Sequence, residues 1–456
     1  MNSYMSLIAS LADLDRCHNG PEMEEAYARL VAHYPGARLL SYPTAQPVNH
    51  WRLPPRWTCT KAELRNETGE LIASRERNNL EVFSYSPPVD EWLSFEELQP
   101  HLLSDPARPD ALLFHFRNQY RHWAPGWGFS IPHSRLTGLD KNVKYHAVIE
   151  SVFSAEDMVQ SDYLHHGSGQ DEYLLIGHFD HPSQVNDGLV GCVAAYEVIK
   201  RLENRSTKNS YRAFASVEIA GSAAYLARER ADLGRTKEAL FLGFSGIDSP
   251  LVYQQSFYRQ SRIDRVARFL LQFSAAPGPA VFGHRELIGN DENIFDSVGY
   301  EIPTGTLMRW PFAQYHTDAD NLSITSPEAV EEVISFVMRI IDVLEGDCRL
   351  QANYAGMPSL ANPDIDLYLS IDNVSGLSTG AAKQAAGLTD TLSDAEKSHL
   401  QRNPDVLNRL MQNMLRMANG QHTLLDIAEK SHVPFGFARC YALKLEEKGL
   451  LKLLEA

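Results

Sequence analysis

Residues 173–191 read Tyr173-Leu-Leu-Ile-Gly-His-Phe-Asp-His-Pro-Ser-Gln-Val-Asn-Asp-Gly-Leu-Val-Gly191, and this stretch decides the fold. The apolar run from Tyr173 has the pattern of a strand buried on both faces, as in a parallel sheet. It ends in His178, Asp180 and His181; a loop follows with Asn186 and Asp187, and a helix is predicted to open at Gly188. Four side chains of metal-ligand type (His178, Asp180, His181, Asp187) therefore fall within ten residues. They lie just past the C-terminal end of a strand, where open α/β sheets bind their ligands. Imidazole with carboxylate is the ligand set of catalytic zinc. Taken alone, the same residues also suit a helix capped by Asp187 with incidental histidines beside it.

Working outward, Tyr211-Arg-Ala-Phe-Ala-Ser-Val217 reads as a second strand with Glu218 at its end, and Gly221-Ser222 opens a helix. A third apolar run, Ala239 to Ile247, is followed at once by Asp248. Tyr315-His-Thr-Asp-Ala-Asp-Asn-Leu322 brings His316 after a turn containing Pro311. Charged groups at the ends of buried strands are costly unless paired or metal-bound, so their recurrence marks a constellation. Strands over 147–153, 173–178, 212–217 and 239–247 alternate with helices over 188–202, 221–229, 263–273 and 327–344. That alternation predicts an α/β fold with a mainly parallel sheet and helices on both faces; Pro327 suits a first helical turn.

The rest of the chain divides by composition. Residues 1–44 read as helical, with Pro21 to Val31 the clearest amphipathic helix. Residues 45–145 carry short β-like runs, dense prolines and the tryptophans Trp51, Trp57, Trp92, Trp123 and Trp127, the pattern of a small inserted β-rich domain whose tryptophans form a core or a binding face. Residues 146–350 are the α/β part, 351–390 a connection, and 391–456 a helical unit. In that unit Ser393-Asp-Ala-Glu has capping-box spacing. Helices over 423–430 and 435–450, joined by Ser431-His-Val-Pro434 and followed by Leu450-Leu-Lys-Leu-Leu454, have the order of a winged helix-turn-helix. From Gln421 to Ala456 five Lys/Arg face five Asp/Glu. Such balance gives no field for phosphates, so a protein contact is expected there and nucleic acid is not.

Net charge over 456 residues is −16, which argues against nucleic acid or an anionic membrane as main partner. No apolar run reaches the length of a membrane span. The N-terminus lacks a basic region and reads as a structural helix, not a signal peptide. The five cysteines are scattered and odd in number, as in a reducing compartment. A cytoplasmic protein is expected.

The order His-x-Asp, Asn-Asp-Gly, Glu before Gly-Ser, Asp, then His-Thr-x-x-Asp resembles the zinc aminopeptidases of the phosphorylase/hydrolase-like fold, which include bacterial di-zinc aminopeptidases and glutamate carboxypeptidase relatives. The likeness covers roughly residues 160–345. With Trp127-Gly-Phe, Asn290-Asp-Glu292 and the small C-terminal unit, the chain is similar to a bacterial group of aminopeptidase-like proteins with an inserted β domain and a C-terminal winged helix, some linked to surface-polysaccharide gene clusters. The resemblance implies one or two zinc ions. It makes His178 and His316 terminal ligands, Asp187 a bridging carboxylate, Asp180 the aspartate that orients a ligand histidine, and Asp248 a ligand completing one site. Glu218 corresponds to part of a Glu-Glu pair of base and ligand, but here the pair is Val217-Glu218, so Glu218 serves as base, ligand or both. His181 is an additional imidazole that could replace His178. Asp291 and Glu292 are reserve carboxylates.

Such a set suits hydrolysis of a small peptide or amide-bearing substrate. Zinc lowers the pKa of a water to about 7 and polarises a carbonyl, and a carboxylate shuttles the proton. A homo-oligomer is expected. The competing reading is an inactive or regulatory protein that keeps the fold and the metal, its winged helix serving interaction or DNA binding.

Overall fold

The computed structural model describes residues 3–229, 234–274, 280–369, 388–390 and 392–455. By internal contacts the chain divides into two units, Met1–Ile263 with Pro279–Ser335, and Asp264–Gly278 with Phe336–Ala456.

The first unit is built on an eight-stranded sheet. Its strand order is Ala37–Tyr42, Met158–His165, Ser210–Ser216, Glu172–His178, Thr236–Gly243, Thr304–Arg309, Leu251–Gln254, Val281–Phe282. The four strands from Ser210–Ser216 to Thr304–Arg309 run parallel, and antiparallel pairings flank them on either side. The sheet is therefore mixed, where the alternation of elements predicted a mainly parallel one. The difference arises in strands whose sequences do not look buried. Met158–His165 carries Gln160, Ser161 and Asp162, all buried. Each is satisfied by a specific bond. Asp162 takes Arg38 at 2.7 Å and Arg212 at 2.7 Å, and Gln160 accepts from Val217 N and donates to Gly221 O. Buried polar groups are stable when so paired, and no hydrophobic pattern announces them.

Glu172–His178 is buried at every position, as its apolar run requires. Helix Leu189–Leu202 follows and is also buried nearly all round, which places it against the sheet. Its backbone lies directly on the strands: a Cβ on Gly177 would sit 2.6 Å from Cys192 Cα, and one on Gly191 would sit 2.0 Å from Leu242 O. The helix N-cap is Gly188, with no side-chain cap. Asp187 is thus not a cap, and its carboxylate is left for the histidines.

A four-stranded antiparallel sheet, in the order Leu71–Ser74, Arg56–Asn66, Tyr145–Ser154, Val89–Leu93, encloses a core around Trp57, Leu64, Ile72, Tyr85 and Phe129. Tyr145–Ser154 belongs here and not to the α/β sheet, where 147–153 was expected. Its burial alternates residue by residue, the mark of a strand with one wet face. Of the five tryptophans in this region, Trp57 is core, whereas Trp92 and Trp123 are each 54% exposed. A return segment crosses to the end of the large sheet: Leu113 pairs with Thr317, and Phe114 N–H donates to His316 O at 3.0 Å.

In the second unit, strands Asn419–Thr423, Cys348–Ala352 and Leu451–Glu455 form an antiparallel sheet with Cys348–Ala352 in the middle. Helices Asp394–Arg402, Asp405–Met417, Leu424–Ser431 and Phe435–Glu447 accompany it. The predicted capping box at Ser393 forms with Glu396. Much of the expected 351–390 connection, from 370 to 387, lies outside the described residues. Among the described residues no helix is long and apolar enough to cross a membrane.

Candidate metal and catalytic centre

Parallel pairing sets Ser216 beside His178, so the two chain segments leave the sheet together and Glu218 arrives next to Asp180. Glu218 N–H donates to Asp180 Oδ1 at 2.9 Å. The 179–187 loop is held from two directions. Arg16, fully buried, donates to Phe179 O at 3.0 Å and His181 O at 3.1 Å, and also to Gln184 O and Leu11 O. Asp320 accepts from Asn186 N at 2.8 Å and Asp187 N at 2.9 Å. A buried cation and a buried anion thus satisfy the backbone of a loop that has no sheet partner.

Asp187 is the hub. His178 Nε2–H donates to its Oδ1 at 2.9 Å. Its Oδ2 lies 3.2 Å from His316 Nε2 and 3.8 Å from His181 Nε2. His181 Nε2 is also 3.7 Å from Glu218 Oε2, and its Nδ1 is 2.6 Å from Asp180 O. Tyr120 O–H donates to Glu218 Oε2 at 2.6 Å. Asp291 takes hydroxyls from Ser216 at 2.9 Å and Ser222 at 2.5 Å on Oδ1, and its Oδ2 is 3.9 Å from His178 Nδ1. Aromatic rings wall the imidazoles: Tyr315 stacks on His316 at 3.8 Å, and Phe114 lies 5.0 Å from His181.

The electrostatics follow from crowding carboxylates in a buried place. Burial opposes ionisation of Asp187, but His181, His178 and His316 outweigh it and hold the carboxyl well below its usual range. Burial likewise opposes ionisation of Asp180, and His18 overcomes it, bringing Asp180 to about 2. Glu218 is pushed up to about 8, first by burial and then by the charges of Asp180 and Asp291, against His178 and the Tyr120 bond. Burial also raises Asp291, and it lifts Asp320 to about 6. For His178, burial would lower the pKa, but the Asp187 bond and charge raise it to about 10. For His181 burial prevails, bringing it to about 4.

These residues fit a cation. Asp187 Oδ2, Asp291 Oδ2 and His178 Nδ1 are buried without a hydrogen-bond partner among the described residues, a costly state for charged oxygens unless an ion satisfies them. His178, His181 and Asp187 offer ligand atoms all within 4.8 Å of one another, as do Asp180, His181 and Glu218.

Sequence reasoning and structure agree in bringing together His178, Asp180, His181, Asp187, Glu218 and His316. They part at Asp248. That residue is exposed, because the preceding turn buries Phe244 and Ile247 against Val252, Met308 and Phe312 and leaves the next side chain facing water. The carboxylate that faces the other ring nitrogen of His178, its Nδ1, is the reserve candidate Asp291. Glu292, the other reserve, folds back on Asn290 N–H at 2.8 Å and serves its own turn. Asp180 bonds His18 Nε2 at 2.9 Å and lies 4.0 Å from His181 Nδ1, so the imidazole it grips is His18. His18 and Tyr120 escaped sequence reasoning. Each lies in a polar stretch with no motif spacing, and only contacts distant in the chain, His18 with Asp180 and Tyr120 with Glu218 98 residues away, give them meaning.

Comparison with known proteins identifies the fold. A Clostridium acetobutylicum protein, provisionally named for polysaccharide biosynthesis and an aminopeptidase-like domain, is 28% identical over 410 residues, 89% of this chain and 86% of the relative. The crystal structure of a protein from Clostridium acetobutylicum, described provisionally as a peptidase, superposes with a TM-score of 0.80 at 25% identity, covering 99% of this chain and 96% of that one. A zinc aminopeptidase from Bacillus subtilis matches with a TM-score of 0.52 at 12% identity over 75% of this chain and 94% of its own. A peptidase M28 precursor from Shewanella amazonensis matches with 0.53 at 12% over 76% and 93%. The fold is therefore that of the zinc aminopeptidases, and the chain belongs to the family described as "Domain of unknown function (DUF4910)", which matches residues 5–347.

Proposed function

We propose that the protein is a zinc-dependent aminopeptidase-like hydrolase that cleaves a peptide or amide bond in a small substrate. The observation that carries this reading is the division of Asp187. Its Oδ1 is taken by His178 Nε2–H, while its buried Oδ2 has no hydrogen bond and faces His316 and His181. His181, His316 and Asp187 Oδ2 would hold one zinc, with Glu218 Oε2 beside them, and His178 orients the carboxylate. A second ion would have to take Asp291 and the Asp187 oxygen that His178 now occupies.

Bound zinc supplies a Lewis acid and a water acidic near neutral pH. Glu218 is the group that moves the proton. Tyr120 fixes its Oε2, and a carboxylate held beside a metal-bound water could take its proton and return it to a leaving amine. Asp180 holds Glu218 through the backbone and is itself held by His18. The name of the Clostridium acetobutylicum relative, polysaccharide biosynthesis protein with aminopeptidase-like domain, supports including amide-bearing sugars among the substrates. The same reading takes 45–145, together with the strand Tyr145–Ser154, as an inserted β domain and 391–456 as a winged helix. The protein is then a cytoplasmic homo-oligomer with the winged helix as its contact module.

Zinc-loaded protein, tested on aminoacyl anilides, dipeptides and N-acetylated amino sugars, should release amine from at least one of them. Glu218→Gln should slow that release by about a hundredfold or more. Full zinc occupancy without release from any of the three classes would contradict the hydrolase reading.

A further inference from the structure

Beside the centre lies a cavity of 360 Å³ lined by His50, Trp51, Arg52, Gln119, Tyr120, Trp123 and Ala220. Two of these residues tie it to Glu218. Tyr120 bonds the Glu218 carboxylate, and Ala220 opens the helix two residues further on. Gln119 is fixed in the wall by accepting His18 N–H at 3.0 Å.

The opposite wall is presented by a built turn. Val48 N–H donates to Trp51 O at 2.9 Å and Trp51 N–H to Val48 O at 2.7 Å. The two residues between them, Asn49 and His50, both have left-handed φ, at 45° and 67°. A two-residue turn with positive φ at both positions favours Asn first and Gly second. Here the second is histidine, a residue with a conformational cost at that position. Such cost persists where the surroundings require it, and that is often at a binding site. The turn delivers Trp51 and Arg52. Arg52 is exposed and makes no ion pair or hydrogen bond among the described residues; its guanidinium lies 5.7 Å from the centre of the Trp123 ring. Trp123 is itself 54% exposed, so much of its ring is open to a ligand.

A guanidinium with its donors open recognises carboxylate in a forked geometry. Flat indole faces stack on rings, aromatic or saturated. The volume lies at the small end of ligand pockets, enough for one substituted ring. We propose that this cavity is the recognition subsite of the hydrolase reading above, on which it rests, and that it takes a carboxylate-bearing ring, set against Trp51 and Trp123 with its carboxylate on Arg52. The amide to be cleaved then extends past Tyr120 towards Glu218.

Calorimetric titration of the full-length protein with two ring acids, glucuronate and hippurate, tests this against their uncharged counterparts, glucose and hippuramide. At least one acid should bind about tenfold more tightly than its counterpart. Arg52→Gln should erase that preference, and Trp123→Ala should weaken acid and neutral ligand alike. Both side chains are exposed, so neither change threatens the fold. The ratio between the two acids tells which ring is taken. Equal binding of acid and neutral ligand, no binding of either acid, or a preference that survives Arg52→Gln would overturn the proposal. Arg52-dependent binding in a protein that releases no amine would leave the subsite standing and remove the hydrolase reading. Amide cleavage without acid binding would do the reverse.

Discussion

Replacing Tyr120 by Phe removes one oxygen and leaves the ring that stands edge-on to His18 at 5.2 Å. The lost bond is the 2.6 Å donation to Glu218 Oε2, a short charge-assisted bond when the carboxylate is ionised. Such bonds contribute about 1.5–3 kcal/mol, and one pKa unit corresponds to about 1.4 kcal/mol. The bond favours the charged form, so its removal raises the pKa. Glu218 stands at about 8 because burial and the charges of Asp180 and Asp291 outweigh His178 and Tyr120. In Tyr120→Phe the midpoint should therefore move up by about one to two units. The assay is a carbon-13 NMR titration of glutamate carboxyls in the metal-free, full-length protein, with Glu218→Gln to assign the signal. A midpoint that stays in place or moves down would refute the account of what holds Glu218.

In metal-free protein the melting temperature should fall as pH rises from about 6.5 to 9. Glu218 and Glu292, at about 8 and 7, and His178, at about 10, all keep protons longer folded than unfolded. Each contributes stability below its unfolded pKa that is lost as pH climbs through its folded one; calorimetry over that window gives the sign directly. Arg16→Met should lower the unfolding free energy by about 3–5 kcal/mol, because it strands the buried carbonyls of Phe179, His181 and Gln184. A urea midpoint equal to that of the parent would show that the loop does not depend on this cation.

What the sequence made legible follows hydrophobic pattern and local spacing. The run ending at His178, the helices at Leu189–Leu202 and Pro327–Gly346, and the Ser393 cap were readable because each is specified by neighbours in the chain. Ala37–Tyr42 was not, since 1–44 reads as helical; it becomes an edge strand by pairing with Met158–His165. That partner was illegible too, because its polar side chains are matched by Arg38, Arg212 and backbone groups distant in sequence. The site divides in the same way. Residues just past strand ends were found, whereas Asp291 had to be preferred to Asp248, a choice made by which side of a turn is buried. The 112–120 segment, with Phe114 and Tyr120, carries no local sign of its place over the imidazoles.

The most direct test of the central claim is the zinc content of the full-length protein, measured by elemental analysis after zinc loading and exhaustive dialysis. The account predicts at least one zinc per chain in the parent and none in a folded Asp187→Ala/His316→Ala variant. A parent protein that is folded, metal-free and unable to take up added zinc would contradict it.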